Sequence, residues 1–174
     1  MALFGRPNIG KLKDRGDING LLKALDYRKN ETTRYDAVKA LGEIGETSVV
    51  DLLLQLLEDN DFEKKDVIIT ALGDIGDEQA VPSLVQRLKR QTPSSSPVEL
   101  DALQKIGPPA IRPLLGLLEE KSADTKDSIA VLSLLEKIGD RKALPFLIAA
   151  RDDASLFPEI DAALERLGWQ APES

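Results

Sequence analysis

Apolar residues recur along this chain in blocks that fit one face of an α-helix, and the blocks repeat. Ala40-Leu-Gly-Glu-Ile-Gly45 returns as Ala71-Leu-Gly-Asp-Ile-Gly76 and as Ala102-Leu-Gln-Lys-Ile-Gly107. Two later copies are Leu134-Leu-Glu-Lys-Ile-Gly139 and Ala163-Leu-Glu-Arg-Leu-Gly168. The closing glycines lie 31, 31, 32 and 29 residues apart. Five copies at a nearly constant period predict a repeat architecture.

Each copy predicts the end of one helix and the start of another. Its small residue lets two helices approach closely, and its Leu and Ile lie on one helix face. The final Gly is expected to end the helix in the left-handed conformation. A second apolar helix follows, most clearly in Ala80-Val-Pro-Ser-Leu-Val-Gln-Arg-Leu88. Proline is tolerated in its first turn, where a backbone N–H has no helical partner.

The pattern therefore predicts a helix A, a glycine turn and a helix B in each repeat. A shortened first unit is expected from helices at 7–15 and 17–26. Helix A is predicted at about 32–43, 63–74, 97–106, 125–138 and 157–167, and helix B at about 47–58, 78–90, 109–120 and 141–152. No hairpin of this kind buries its apolar face alone, so stacking is required.

A family resemblance rests on the motif Arg-x-x-Ala-x-x-Ala-Leu-Gly-x-Ile-Gly, followed by Ala-Val-Pro-x-Leu. The segment from Arg34 to Gly45 fits it best. The motif resembles the HEAT-like repeats of the phycobilisome (PBS) lyase type, over roughly residues 17–168. It implies an all-α fold, an α-α superhelix that forms a right-handed α-solenoid of about five HEAT-like helical hairpins. The motif's Arg is replaced at the later equivalent positions by Lys65, Ser96, Ser128 and Phe157.

The register predicts one domain, 1–174. It comprises a cap at 1–30, repeats at about 31–60, 61–91, 92–122 and 123–153, and a C-terminal cap at 154–174, where Trp169 is expected to cover the last hairpin. The Pro- and Ser-rich segment Gln91-Thr-Pro-Ser-Ser-Ser-Pro97 is either an inter-repeat loop or a flexible joint. Because the period continues across it, the loop is the first interpretation.

The amino-acid composition excludes most of the familiar catalytic and metal-binding chemistries. The chain has no cysteine and no histidine, so we expect no catalytic residue, no cofactor and no metal site. The net charge is −7, and residues 1–40 carry nine Lys or Arg against five acids, which is +4 and leaves −11 for the rest. An acidic body argues against nucleic acid as the main ligand. No signal peptide and no apolar run of membrane-spanning length is present, so a cytoplasmic protein is expected.

The resemblance places helix B on the concave side of such an array, and this suggests where a partner binds. The exposed ridge of helix B follows i, i+4, i+7 spacing. Its partner-binding candidates are Leu52, Gln55, Ser83, Gln86, Arg90, Pro113, Gly116, Phe146 and Ala149. An apolar groove with a charged rim is typical of helix-in-groove recognition. The alternative is that Leu52 and Phe146 fold into the core or cover helix ends.

A second candidate lies near the end of the first B-type helix. Lys23 and Tyr27, beside Arg28, form a basic patch with one aromatic residue. This patch either binds an acidic peptide tail or is a solvated cap.

The leading hypothesis is a non-catalytic scaffold that binds another protein on helix B, as a monomer or in a hetero-complex. The resemblance leaves open a subunit of a bilin-lyase-like enzyme or a chaperone that acts on phycobiliproteins. Weak nucleic-acid or acidic-tail binding by the basic first 40 residues is the third hypothesis. HEAT-like deoxyhypusine hydroxylases bind iron through His-Glu pairs, and the absence of His excludes that activity.

Overall fold

A computed structural model describes residues 6–59, 62–91, 93, 96–121, 125–139, 144, 148, 157–166, 168 and 169. Within this part every regular element is helical. The α-helices are α1 (Ile9–Asp14), α2 (Ile18–Leu25), α3 (Glu31–Ile44), α4 (Val50–Glu58), α5 (Lys65–Ile75), α6 (Val81–Arg90), α7 (Pro97–Ile106), α8 (Ile111–Lys121), α9 (Thr125–Ile138) and α10 (Phe157–Arg166). The expected all-α fold of HEAT-like hairpins is confirmed. The fourth helix B, expected at 141–152, lies largely outside the described residues.

The chain packs as two compact units, Met1–Ala80 and Val81–Ser174. In the first unit, α3 packs against α1, α2 and α5, and α5 also contacts α4. In the second unit, α6 contacts α7 and α8, while α9 contacts α7, α8 and α10. The division falls inside the predicted repeat 61–91, so packing and sequence period mark different boundaries. That the chain is one domain stays a prediction.

Polar side chains begin the first three helices. The Asn8 and Asp17 side chains accept hydrogen bonds from the backbone N–H groups of Lys11 and Gly20, at 3.0 and 2.8 Å. Asn30 does the same for the N–H of Thr33, at 2.9 Å. Such N-caps satisfy donors that have no partner inside the helix.

Helix B starts differently from the prediction. A short 3₁₀ turn precedes α4, α6 and α8, at Thr47–Val49, Glu78–Ala80 and Pro108–Ala110. In the first turn, the Glu46 carboxylate accepts from the N–H of Ser48 at 3.1 Å. In the second, the Asp77 carboxylate accepts from the N–H of Gln79 at 2.9 Å. These acceptors hold the chain in a tight turn before the α-helix begins.

The turn glycines adopt the expected conformation at Gly45 and Gly76, both with φ 74° in the left-handed region. Gly107 differs, with φ 81° and ψ −133°. The expectation of a left-handed Gly107 is therefore wrong. The reason is Pro108, because a proline ring clashes with the preceding residue in helical conformations and favours extended ones. Glycine tolerates the mirror image of that extended conformation.

The core is built from aliphatic residues, and the repeated motif supplies its centre. Ala40, Leu41, Ala71 and Leu72 are buried between α3 and α5. At Gly42 the helices come so close that an added Cβ would lie 2.7 Å from the Ala71 Cα. The small residues of the motif therefore permit close packing, as the sequence predicted.

Candidate functional site

The structure places most of the predicted partner-binding residues on solvent-facing parts of helix B. Gln55 on α4 and Gln86 and Arg90 on α6 are exposed. Residues of intermediate exposure are Leu52 on α4, Ser83 on α6, and Pro113 and Gly116 on α8. Phe146 and Ala149 lie outside the described residues. Leu52 is half-buried and does not belong to the buried core.

A groove in the first unit brings two of these predictions together. It runs between α2 and α4, the B-type helices of the first two hairpins, and has a volume of about 330 Å³. Its lining residues are Leu22, Lys23, Leu25, Asp26, Arg28, Arg34, Leu52, Leu56 and Asp59. Lys23 and Leu52, which the sequence assigned to separate sites, thus line one surface, which we call the α2–α4 groove. Tyr27 is half-buried and is not among the residues that line it.

Arg34 forms the buried charged part of this groove. Its side chain is only 8% exposed, and its Nε donates a hydrogen bond to the carbonyl oxygen of Leu25 at 2.9 Å. The guanidinium carbon also lies 5.1 Å from the centre of the Phe62 ring, a cation–π distance. Phe62 is buried and meets the Tyr35 ring edge-on at 5.2 Å. The motif's Arg therefore joins the end of α2 to the start of α3.

Lys65 makes the equivalent contact one repeat later. Its Nζ donates to the carbonyl oxygen of Leu56 at 2.9 Å and also to that of Asp59. Both basic residues bond the carbonyl nine positions earlier, at the C-terminal end of the preceding helix B. Carbonyls in the last turn of a helix lack their full set of helical partners, and a cation there also offsets the negative end of the helix dipole.

The polar rim of the groove carries both signs of charge. Lys23 and Arg28 are exposed cations, and Asp26 and Asp59 supply carboxylates. With Arg34, three basic side chains face two acidic ones. A small positive excess remains, in a chain whose net charge is −7.

Sequence reasoning missed several lining residues. Leu22 and Leu56 were not singled out, although both lie one helical turn from a charged lining residue. Arg34 was noted as part of the repeat motif and not as part of a site. Its fixed position in the repeat, nine residues after the last turn of a helix B, is the signal that identifies it.

A second hollow, of about 240 Å³, lies between α1 and α3. Its cations Lys13 and Lys39 both approach the Glu43 carboxylate, at 2.7 and 3.8 Å. The Lys13 hydrogen bond lowers the pKa of Glu43, and Glu43 in turn raises the pKa of Lys13. These charges satisfy one another, so the hollow is a weaker candidate for a charged partner.

No group of three acidic residues that could hold a metal ion occurs in the part of the chain that the structure describes. In the same part, no helix is long and apolar enough to cross a lipid bilayer.

Comparison with known proteins supports the repeat assignment. Residues 18–95 match the family model of HEAT repeats. No curated protein matches the chain. The matched segment contains every residue that lines the α2–α4 groove. The match and the all-α fold are both consistent with HEAT-like repeats.

Proposed function

We propose that this protein is a non-catalytic scaffold that binds a segment of a partner protein in the α2–α4 groove. HEAT repeats generally mediate protein–protein interaction. The lack of His and Cys supports a binding role, because the commonest general base and thiol nucleophile are missing.

The observation that carries the proposal is the half-buried apolar strip along the groove. Leu22 on α2 faces Leu52 and Leu56 on α4, and all three have intermediate exposure. Aliphatic side chains left partly in water at a concave surface gain free energy when a partner covers them. Charged residues border the strip, as in grooves that bind a partner segment.

Two matched substitutions on α4 test this function. Leu52 lines the groove, whereas Leu54 is also half-buried on the same helix and does not line it. We expect Leu52→Gln to abolish capture of a partner from an extract of the source cells, measured by quantitative mass spectrometry against the wild type. Leu54→Gln is expected to retain it.

Capture of the same proteins by wild type and both variants would contradict the proposal. Circular dichroism of each variant must show wild-type helicity, so that a loss of capture reports the surface and not unfolding.

A further inference from the structure

We infer that the α2–α4 groove binds an amphipathic α-helix of a partner protein, through aliphatic side chains and without a charge-specific contact. This inference rests on the proposed function and adds the conformation and the chemistry of the bound segment. Three observations lead to it: the spacing of the leucines, the internal partners of the charged lining residues, and the bonded carbonyl oxygens at the ends of the flanking helices.

The apolar wall of the groove has the spacing of a helix surface. Leu52 and Leu56 are one turn apart on α4, which is about 6 Å along the helix axis, and Leu22 lies opposite them on α2. Side chains at positions i and i+3 or i+4 of a partner helix are also about 5–6 Å apart. The groove volume of about 330 Å³ is at the lower end of the range for ligand pockets. One or two aliphatic side chains therefore fit inside, while the backbone of the partner stays above the groove.

Most of the charged residues around the groove are already engaged inside the protein. Arg28, Arg34 and Asp59 all have interactions within the chain. The other two charged lining residues, Lys23 and Asp26, are exposed and opposite in sign. A charged side chain of a partner would therefore have to compete with existing interactions to find a counter-charge, and it would lose hydration on entering the groove. An uncharged contact surface fits the groove better.

The backbone of the groove walls determines the conformation of the bound segment. At the ends of the two flanking helices, the carbonyl oxygens of Leu25 and Leu56 accept hydrogen bonds from Arg34 and Lys65. Both described walls are α-helices, which bond their own backbone groups and present no strand edge to an extended segment. An extended segment would press some of its backbone N–H and C=O groups against leucine side chains, where an unpaired polar group is costly. An α-helix satisfies its own backbone groups and avoids this cost.

Selection from a displayed library of random peptides tests the inference directly. Peptides of about 15 residues are suitable, because they span about four helical turns. We expect the wild-type protein to enrich peptides with Leu, Ile or Met at positions i and i+3 or i+4. Neither acidic nor basic residues should exceed their frequency in the library. Circular dichroism should show that the helix content of a selected peptide rises when it binds.

A proline substitution in the peptide distinguishes a helical from an extended bound segment. Proline at a central position that carries no anchoring side chain should weaken binding at least about tenfold in fluorescence anisotropy, because it removes a helical hydrogen bond and clashes with the preceding turn. Alanine at the same position is the control and should change the Kd less than about twofold. Equal effects of the two substitutions would mean that the bound segment is extended, and the inference would be wrong.

Variants of the protein and a salt titration test the apolar character of the contact. Leu22→Gln and Leu52→Gln should each weaken a selected peptide about tenfold, because each removes an aliphatic wall that the peptide covers. Leu54→Gln lies outside the groove and should change the Kd less than about twofold. Lys23→Glu at the rim should also change it less than about twofold. Raising NaCl from about 0.1 to about 1 M shortens the screening length from about 10 to about 3 Å and should not weaken the wild-type complex.

Several outcomes overturn the inference. These are enrichment without helical spacing, a preference for acidic or basic residues, a severalfold loss of affinity in high salt, or no enrichment at all. Tighter binding of a single-stranded RNA than of any selected peptide would assign the groove to nucleic acid instead. The scaffold function fails separately, since it requires only that partner capture depend on Leu52. A Leu52-dependent partner whose bound segment tolerates the central proline would leave the scaffold standing and remove the helix.

Discussion

The two units carry different residues, with different hydrogen bonds, at the position of the motif's Arg. In the first unit, Arg34 and Lys65 lie near the start of helix A, and each bonds a carbonyl at the end of the preceding helix B. In the second unit, Ser96 and Ser128 occupy this position, and both are buried. The Ser96 hydroxyl donates to the Gln91 side chain at 3.1 Å.

The second unit makes its polar contact with other residues. The carbonyl of Arg87, nine positions before Ser96, accepts the backbone N–H of Gln91 at 2.9 Å. The Arg87 side chain instead pairs with the buried carboxylate of Glu99 on α7, at 3.1 Å. In both units a basic side chain therefore connects the end of a helix B to the start of the next helix A. The basic residue belongs to helix A in the first unit and to helix B in the second.

This difference affects the surface between neighbouring B-type helices. In the second unit α6 and α8 are in direct contact. The motif position before the intervening helix α7 is occupied by the small, buried residue Ser96. In the first unit the long side chain of Arg34, on α3, reaches the end of α2 and lines the groove that separates α2 from α4. A repeat without the motif's Arg therefore lacks the side chain that bonds the end of the preceding helix B and that lines the groove beside it.

The largest effect is expected from truncating Arg34. Arg34→Ala removes a charge-assisted hydrogen bond to Leu25 and the cation–π contact with Phe62. Such a bond contributes roughly 1.5–3 kcal/mol and such a contact roughly 0.5–2. We expect the free energy of unfolding, measured by urea titration with circular dichroism, to fall by about 2–4 kcal/mol.

Ser128→Ala is the matched change in the second unit. The Ser128 hydroxyl is buried and has no hydrogen-bond partner among the described residues. Removing such a group is neutral or stabilises by up to about 1 kcal/mol. Equal losses in the two variants would refute the idea that the units differ at this position.

Two glycines give the next comparison, with effects of opposite sign. Gly42→Ala in α3 would place a Cβ 2.7 Å from the Ala71 Cα, and backbone cannot move aside easily. Overpacking of this kind costs roughly 1–3 kcal/mol, so we expect a net loss of about 1–2 kcal/mol in urea titration. Gly116→Ala in α8 meets nothing within 4 Å and should stabilise by roughly 0.5–1 kcal/mol, the ordinary helix preference for Ala. A loss at Gly116 as large as that at Gly42 would contradict the packing described for α3 and α5.

The sequence predicted the helices better than it predicted the groove. The period of the Ala-Leu-Gly-x-Ile-Gly motif placed α3, α5, α7, α9 and α10 within about two residues, because buried aliphatic positions and a terminal glycine determine helix ends locally. The 3₁₀ turns and the conformation of Gly107 were missed. They depend on Glu46, Asp77 and Pro108, whose effect is confined to one turn.

The groove could not be assembled from spacing along one helix. Ridge spacing on α4 selected Leu52, which lines the groove, and Gln55, which does not; Leu56 lines the groove instead. The residues of α2 and the guanidinium of Arg34 reach the groove through tertiary packing. The motif marks Arg34 as one of its positions, and only the structure shows that this side chain bonds the carbonyl oxygen of Leu25.

The smallest expected effect concerns the exposed pair Lys13–Glu43, which joins α1 to α3 at 2.7 Å. Lys13 lowers the pKa of Glu43, so the folded state binds this proton less readily than the unfolded chain. The stabilisation is therefore present above the ordinary Glu pKa of about 4.5 and is lost as pH falls through the lower folded value. The raised pKa of Lys13 causes a second loss above about 10.5. Glu43→Gln should be less stable than wild type at pH 7, and the difference should vanish at both extremes. Because Arg34 bonds the neutral carbonyl of Leu25, the loss of this bond in Arg34→Ala should persist at low pH, and a parallel pH dependence of the two variants would contradict the role given to that bond.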